Sequence, residues 1–377
     1  MHNGMDMALN SAETATDINS ASMYLKPFSP IAIGSLPFKD LNIAMNIVKT
    51  HFPEIPFWPQ LTKLSTKEDM ILQFSENMPL FIADEKTNYM QKTDKQNSEK
   101  LEEFFCDYEK IAADINGDAI EKYAISTNHS AAFPEFLNII KTTHTKFAKG
   151  QIAGPFTFSA TVVDTEGKCT FYNSLLREII TKTLTLKALW QIKHIKRANA
   201  ATTPIIFIDE PSLSQLKNYD TDFQDTVISM LNEISYYIRR NGAVSAVHCC
   251  SKCNWSIPLK AGVDIINPDT YTYTRDLSFY KEIEHFLKNG GKIAWGIVPT
   301  LDKNAIAVTD INELINIFNN ALKYLTETGI NEKLIIKNSL ITPSCGTGGL
   351  DDEMAFKAMR FTVELSKKLK EKYSIDN

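Results

Sequence analysis

The chain is short of arginine, cysteine, one-signed charge and long apolar runs. Of its 40 cationic residues only six are Arg (Arg177, Arg197, Arg239, Arg240, Arg275 and Arg360), and none lies before position 177. Planar guanidinium forks are the usual clamps for several carboxylates at once, so this distribution argues against a polycarboxylate substrate. No apolar stretch approaches the ~18 residues that a membrane-spanning helix needs. The balance of 40 Lys plus Arg against 45 Asp plus Glu, with no long basic block, argues against a nucleic-acid partner. Six cysteines in 377 residues are too few for a disulfide framework. They fit a reducing, cytoplasmic compartment, where clustered thiols read as metal or redox chemistry. Residues 1–25 lack the basic start and apolar stretch of an export signal and are expected to form a flexible tail.

What is present is alternation. Short apolar runs at 31–36, 55–60, 150–158, 204–211, 243–250, 263–269, 292–299 and 340–345 are separated by amphipathic stretches. One such stretch places Leu175, Ile179, Leu186 and Leu189 on a stripe, and another does so with Phe223, Val227, Met230, Leu231, Ile234 and Ile238. Short runs of this kind are the pattern of buried parallel strands joined by helices. A length prior of about 150 residues per domain gives two or three domains, but α/β barrels routinely exceed it as one unit. Eight strand candidates predict a single (β/α)8 TIM barrel over 26–377. Residues 62–149 exceed one βα unit and are expected to form a helical insertion, between strands 2 and 3, packed over the barrel top.

Chemistry-bearing residues concentrate at the ends of these runs. In Val247-His248-Cys249-Cys250-Ser251-Lys252-Cys253 the period of two places His248 and Cys250 on one side. Imidazole and thiolate suit Zn2+. Cys250-x-x-Cys253 is a competing knuckle or redox pair, and simple burial of Cys249 and Cys253 is a third reading. Cys345, in Pro343-Ser344-Cys345-Gly346-Thr347-Gly348-Gly349, ends the last run. In a barrel it would meet His248 and Cys250 at the mouth. Asp269 ends the run between them and is a candidate fourth ligand. The glycine-rich turn lacks the Lys-Ser/Thr of a phosphate-binding loop. Asp209-Glu210-Pro211 closes another apolar run, where a role in holding a cationic amine competes with helix capping or solvent exposure. Ser35 is a candidate donor to a substrate carboxylate, or a turn residue. Phe57, Trp58, Trp295 and Tyr271 read as core. Cys106 and Cys169 read as structural. His144, His194 and His285 read as solvated, while His129 is a weaker candidate for the mouth.

His248-x-Cys250, Cys345, Asp209-Glu210-Pro211, Gly154-Pro155-Phe156-Thr157 and Ile33-Gly34-Ser35-x-Pro37 stand in an order that resembles the catalytic barrel of cobalamin-independent methionine synthase. The wider superfamily also holds uroporphyrinogen decarboxylase and the methylcobalamin:coenzyme M methyltransferases. The resemblance spans roughly residues 30 to 370. It implies that His248, Cys250 and Cys345 bind zinc, that Asp269 stands where the family has a zinc-site glutamate, and that Ser35 and Asp209, with Glu210 beside it, hold the amino-acid part of homocysteine. Asp209 and Asp269 are thus the expected catalytic carboxylates. Two departures stand out: a shorter carboxylate at Asp269, and Trp58-Pro59-Gln60-Leu61 in place of a glutamate-containing loop. The implied activity is a zinc-dependent thiol S-methyltransferase. The family's folate-contacting tryptophan is missing near Ser159-Ala160-Thr161-Val162, so a methylcorrinoid, free or on a partner protein, is the expected donor. A uroporphyrinogen decarboxylase-like enzyme and a coenzyme M-type methyltransferase are the alternatives.

Overall fold

The computed structural model describes residues 20–375 except 84–87, 95–96 and 219. The expected tail therefore lies outside the described residues up to 19; beyond it Ser20–Tyr24 forms a 3-10 turn and Leu25 is buried. Nine strands are present among the described residues: β1 Phe81–Ala83, β2 Asn88–Met90, β3 Phe147–Ala153, β4 Val163–Asp164, β5 Thr203–Asp209, β6 Val244–Cys249, β7 Ile265–Pro268, β8 Lys292–Val298 and β9 Ser339–Pro343. β1, β2 and β4 make a small side sheet. The other six form one sheet in the order β3-β5-β6-β7-β8-β9, with every pairing parallel. Helices connect them, Ser174–Ala198 and Thr221–Arg240 being the longest before β6.

These strands are apolar on both faces because helices cover one side and other strands' side chains fill the other. The outer face carries Ile206, Ile208, Val247, Ile266, Ile293 and Ile341 into the large core beneath the helices. The inner face carries Phe147, Ile205, Phe207, Val244, Ala246, Ile265, Ala294 and Leu340 into a second core, which Ile31, Ile33 and Ile55 complete.

Six of the eight expected strands are regular strands, while 31–36 and 55–60 are joined to the sheet by isolated parallel bridges. Pro30 bridges Ile341, Ser35 bridges Gln60 and Phe57 bridges Lys149. The cause is local: Pro53, Pro56 and Pro59 lack the N–H groups that a ladder needs. The run expected as a strand over 150–158 is also divided. β3 begins three residues earlier and ends at Ala153, and Pro155–Thr161 is a helix with proline in its first turn.

The insertion lies mainly along the flank, not across the top. Lys187, on the helix Ser174–Ala198, donates to the carbonyls of Glu76, Tyr123 and Ala124 at 2.6, 3.0 and 3.0 Å. Its first stretch, Thr62 to Met70, reaches the C-terminal ends of the strands.

Candidate metal centre at the strand ends

Along β6 the side chains of Val244 and Ala246 point inward, so His248 does too, while Cys249 points into the helical layer. Cys250 follows as the strand ends, and Cys345 follows β9. The ligand atoms of His248, Cys250 and Cys345 all lie within 4.8 Å of one another, the only such His/Cys/Asp/Glu group among the described residues. Cys253 is buried in the outer core and takes no part, which sets aside the local knuckle. Cys249 donates to the Ser251 carbonyl at 3.3 Å.

Neighbouring strands hold the group in place. His248 Nδ1 lies 2.7 Å from Asn267 Oδ1. The Cys345 N–H donates to Thr300 Oγ1 at 2.9 Å, and the Thr300 hydroxyl donates to the Cys345 carbonyl at 3.1 Å. Gly346 is required beside it, because a Cβ there would stand 2.0 Å from Ser35 Oγ. The Gly348 N–H donates to that same Ser35 Oγ at 3.3 Å, so Ser35 is tied to the glycine-rich turn.

A cavity of about 270 Å³ opens above the group, lined by Ser35, Gln60, Thr62, Glu68, Asp209 and the three ligands among others, with no Lys or Arg among the described residues that line it. Asp209, paired in register with His248, is buried, and its Oδ1 has no hydrogen-bond partner. Glu210 turns the other way. Its carboxylate accepts from Phe156 N at 2.9 Å, Thr157 N at 2.8 Å and Thr157 Oγ1 at 2.6 Å, and it does not line the cavity. Gly154 makes room for it, since a Cβ there would meet Glu210 Cδ at 2.0 Å. Asp269 accepts from Thr272 N through Oδ1 at 3.0 Å and leaves Oδ2 without a partner, outside the three-residue group. His129 is 3.4 Å from Glu76 and away from the cavity.

The electrostatics follow from burial and proximity. The Cys345 thiol donating to the Cys250 sulfur, helped by His248, holds Cys250 far below the usual thiol value, and Cys345 is raised well above it. The pair therefore shares one proton. Burial works against a charged His248, but Cys250, with Asp209 and Cys249 adding to it, pushes the imidazole up to about 9. Burial raises Asp209 and Asp269, and takes Glu210 to about 7 against its three donors. Below the mouth Lys149 is fully buried, donates to the Ile33 carbonyl and to Gln151 Oε1, and is lowered by burial to about 7.

The group fits a metal on its own terms. One imidazole nitrogen, His248 Nε2, is buried without a hydrogen-bond partner, and two sulfurs face it with a single proton between them. An N/S/S set with a side open to a cavity is the donor chemistry of zinc with an exchangeable position. Sequence reasoning did not single out Asn267, Thr300, Thr62 or Glu68. Asn267 and Thr300 act across strands, and Glu68 lies in a stretch that reads only as part of the helical insertion.

No family model and no curated protein matches the chain. Among solved structures, a B12-independent methionine synthase from Shewanella sp. W3-18-1, in complex with selenomethionine, is 18% identical over 62% of this chain and 67% of that chain, with a TM-score of 0.41. A methyltransferase from Methanosarcina mazei is 14% identical over 92% of this chain and 96% of that one, with a TM-score of 0.49. At these distances the site's own geometry carries its interpretation.

Proposed function

We propose that this chain is a zinc-dependent methyltransferase that passes a methyl group to a small thiol, homocysteine to give methionine, from a methylcorrinoid rather than methyl-tetrahydrofolate. The observation that carries this reading is the His248–Cys250–Cys345 group, its ligand atoms within 4.8 Å and its Nε2 unpartnered, at the floor of a cavity. The same reading takes the fold as a (β/α)8 barrel. The three isolated bridges and the inner core shared by six strands and the segments near 31 and 55 support that closure.

Bound zinc would supply the Lewis acid that turns the acceptor thiol into a thiolate at neutral pH. The chain's own residues bind and orient. The free Oδ1 of Asp209 offers an ammonium group a buried acceptor. The Ser35 hydroxyl, on the cavity lining, offers a donor to a single carboxylate. A cavity with no Lys or Arg among its described lining residues is a poor host for a polycarboxylate or a sulfonate, which weighs against the decarboxylase and coenzyme M alternatives. No helix of the described residues is long and apolar enough to cross a membrane.

Metal analysis of the purified chain should find one zinc, lost in both His248→Ala and Cys345→Ser. Homocysteine should release a proton on binding the zinc-loaded protein and yield methionine with methylcobalamin. Zinc retained by Cys345→Ser, or turnover with methyl-tetrahydrofolate alone, would overturn the metal or the donor assignment respectively.

A further inference from the structure

A histidine presents one lone pair at neutral charge, and which nitrogen bears it is decided by the partner of the other. At His248 that partner is Asn267, one strand over on β7 and paired with it in register. An asparagine amide has a donor end and an acceptor end, and their orientation here is dictated from outside. Asn267 Nδ2 stands 2.6 Å from the Ala294 carbonyl and 2.7 Å from Thr342 Oγ1. A backbone carbonyl only accepts, so the nitrogen end must face β8 and β9. The oxygen end is then left for His248 Nδ1 at 2.7 Å, and an amide oxygen only accepts. Nδ1 therefore carries the proton. His248, Asn267, Ala294 and Thr342 are all buried, so water does not substitute for any partner.

We infer that Asn267 is a positioning residue that fixes the His248 tautomer and thereby selects Nε2 as the lone pair presented to Cys250, Cys345 and the cavity. The chain of contacts runs from β6 through β7 to β8 and β9, so the ring is held by three neighbouring strands. The inference deepens the metal-site reading and rests on it for its purpose, though the tautomer itself is a property of the metal-free chain. An outer hydrogen-bond partner of a ligating histidine is worth roughly 10–100-fold in metal affinity.

The test uses the full chain labelled with 15N-histidine. Metal-free and at alkaline pH, where the ring is neutral, His248 should show a protonated Nδ1 and a bare Nε2; after loading with 113Cd2+, coupling should appear to Nε2 alone. Asn267→Leu, of similar size, should populate both tautomers and weaken Zn2+ binding by roughly 10–100-fold, with the Cys250 and Cys345 contributions to the cadmium spectrum retained. A bare Nδ1 in the unmodified chain overturns the inference, as does an Asn267→Leu protein that keeps both the tautomer and the affinity. If the unmodified chain binds neither zinc nor cadmium, the metal reading falls, and the alkaline spectrum still decides the tautomer. Should Asn267→Leu fail to fold, the spectra of the unmodified chain decide alone.

Discussion

The flank of this molecule and its mouth both bury ionisable groups, but they treat them differently. Under the insertion the described groups of this kind are answered. Lys187 donates to three carbonyls, and Glu68, where the insertion's first stretch reaches the cavity wall, accepts from Leu61 N at 2.6 Å and Ala131 N at 2.8 Å. At the mouth, His248 Nε2, Asp209 Oδ1 and Asp269 Oδ2 are buried without partners. An unanswered buried polar group costs on the order of 1–3 kcal/mol, and native folds keep few of them. Three together, beside two thiols that share a proton, mark the place where stability is sacrificed for binding. The answered groups on the flank mark architecture.

Substitutions at the two regions should therefore diverge. The largest expected effect is on the flank. Lys187→Met removes one cation and strands the three carbonyls that tie the insertion to the helix Ser174–Ala198. A loss of about 3 kcal/mol in urea-unfolding free energy follows, with zinc stoichiometry unchanged. Glu68→Gln comes next. It keeps an oxygen for one of the two amide donors and turns an NH2 group on the other, for a loss of about 2 kcal/mol. Asp209→Asn is the matched probe at the mouth. It removes an equally buried carboxylate whose Oδ1 breaks no hydrogen bond, so stability should change by less than about 1 kcal/mol while the acceptor's KM rises. Equal stability losses for Glu68→Gln and Asp209→Asn would erase the distinction between answered and unanswered carboxylates.

The same contrast explains what the sequence could tell. Strand positions were legible where burial on both faces leaves a continuous apolar run, as in PIIFIDEP and KIAWGIVP. They were blurred where prolines broke the ladder at 55–60. A short apolar run does not distinguish buried strand from buried helix, so Pro155–Thr161 was hidden inside an expected strand. Cys345 was legible because the strands of a barrel end at one mouth. Asp209 and Glu210 look alike in sequence, yet the period of two sends one to the cavity and the other to the helix at Pro155. Asn267 was illegible in its role, since its partners lie 27 and 75 residues further on.

The smallest effect expected belongs to Glu121, a flank group answered at the surface instead of in the interior. It lies on the 3-10 segment Asp118–Tyr123 of the insertion and meets three groups of the helix Ser174–Ala198: Lys193 at 2.8 Å, Trp190 Nε1 at 3.1 Å and His194 Nε2 at 3.0 Å. Partial burial would raise its carboxyl, but Lys193, His194 and Trp190 prevail and bring it down to about 2. Because the folded value lies below the unfolded one, the unfolded chain binds more protons between them, and stability rises with pH across that window. The contribution is thus present above about pH 4.5 and is lost as pH falls toward 2. Lys122 on the same segment pairs with Glu103 and Asp107, so Glu121→Gln is the control that isolates one carboxylate. Relative to the unfolded-chain rate at each pH, amide protection over Asp118–Tyr123 should fall between pH 5 and pH 3 in the unmodified chain, and β5 and β6 should stay protected. In Glu121→Gln the lowered protection should already be present at pH 5 and change little below it. Uniform loosening of strands and insertion together would show that the flank has no independent hold, and that its satisfied charges serve the whole fold rather than this one attachment.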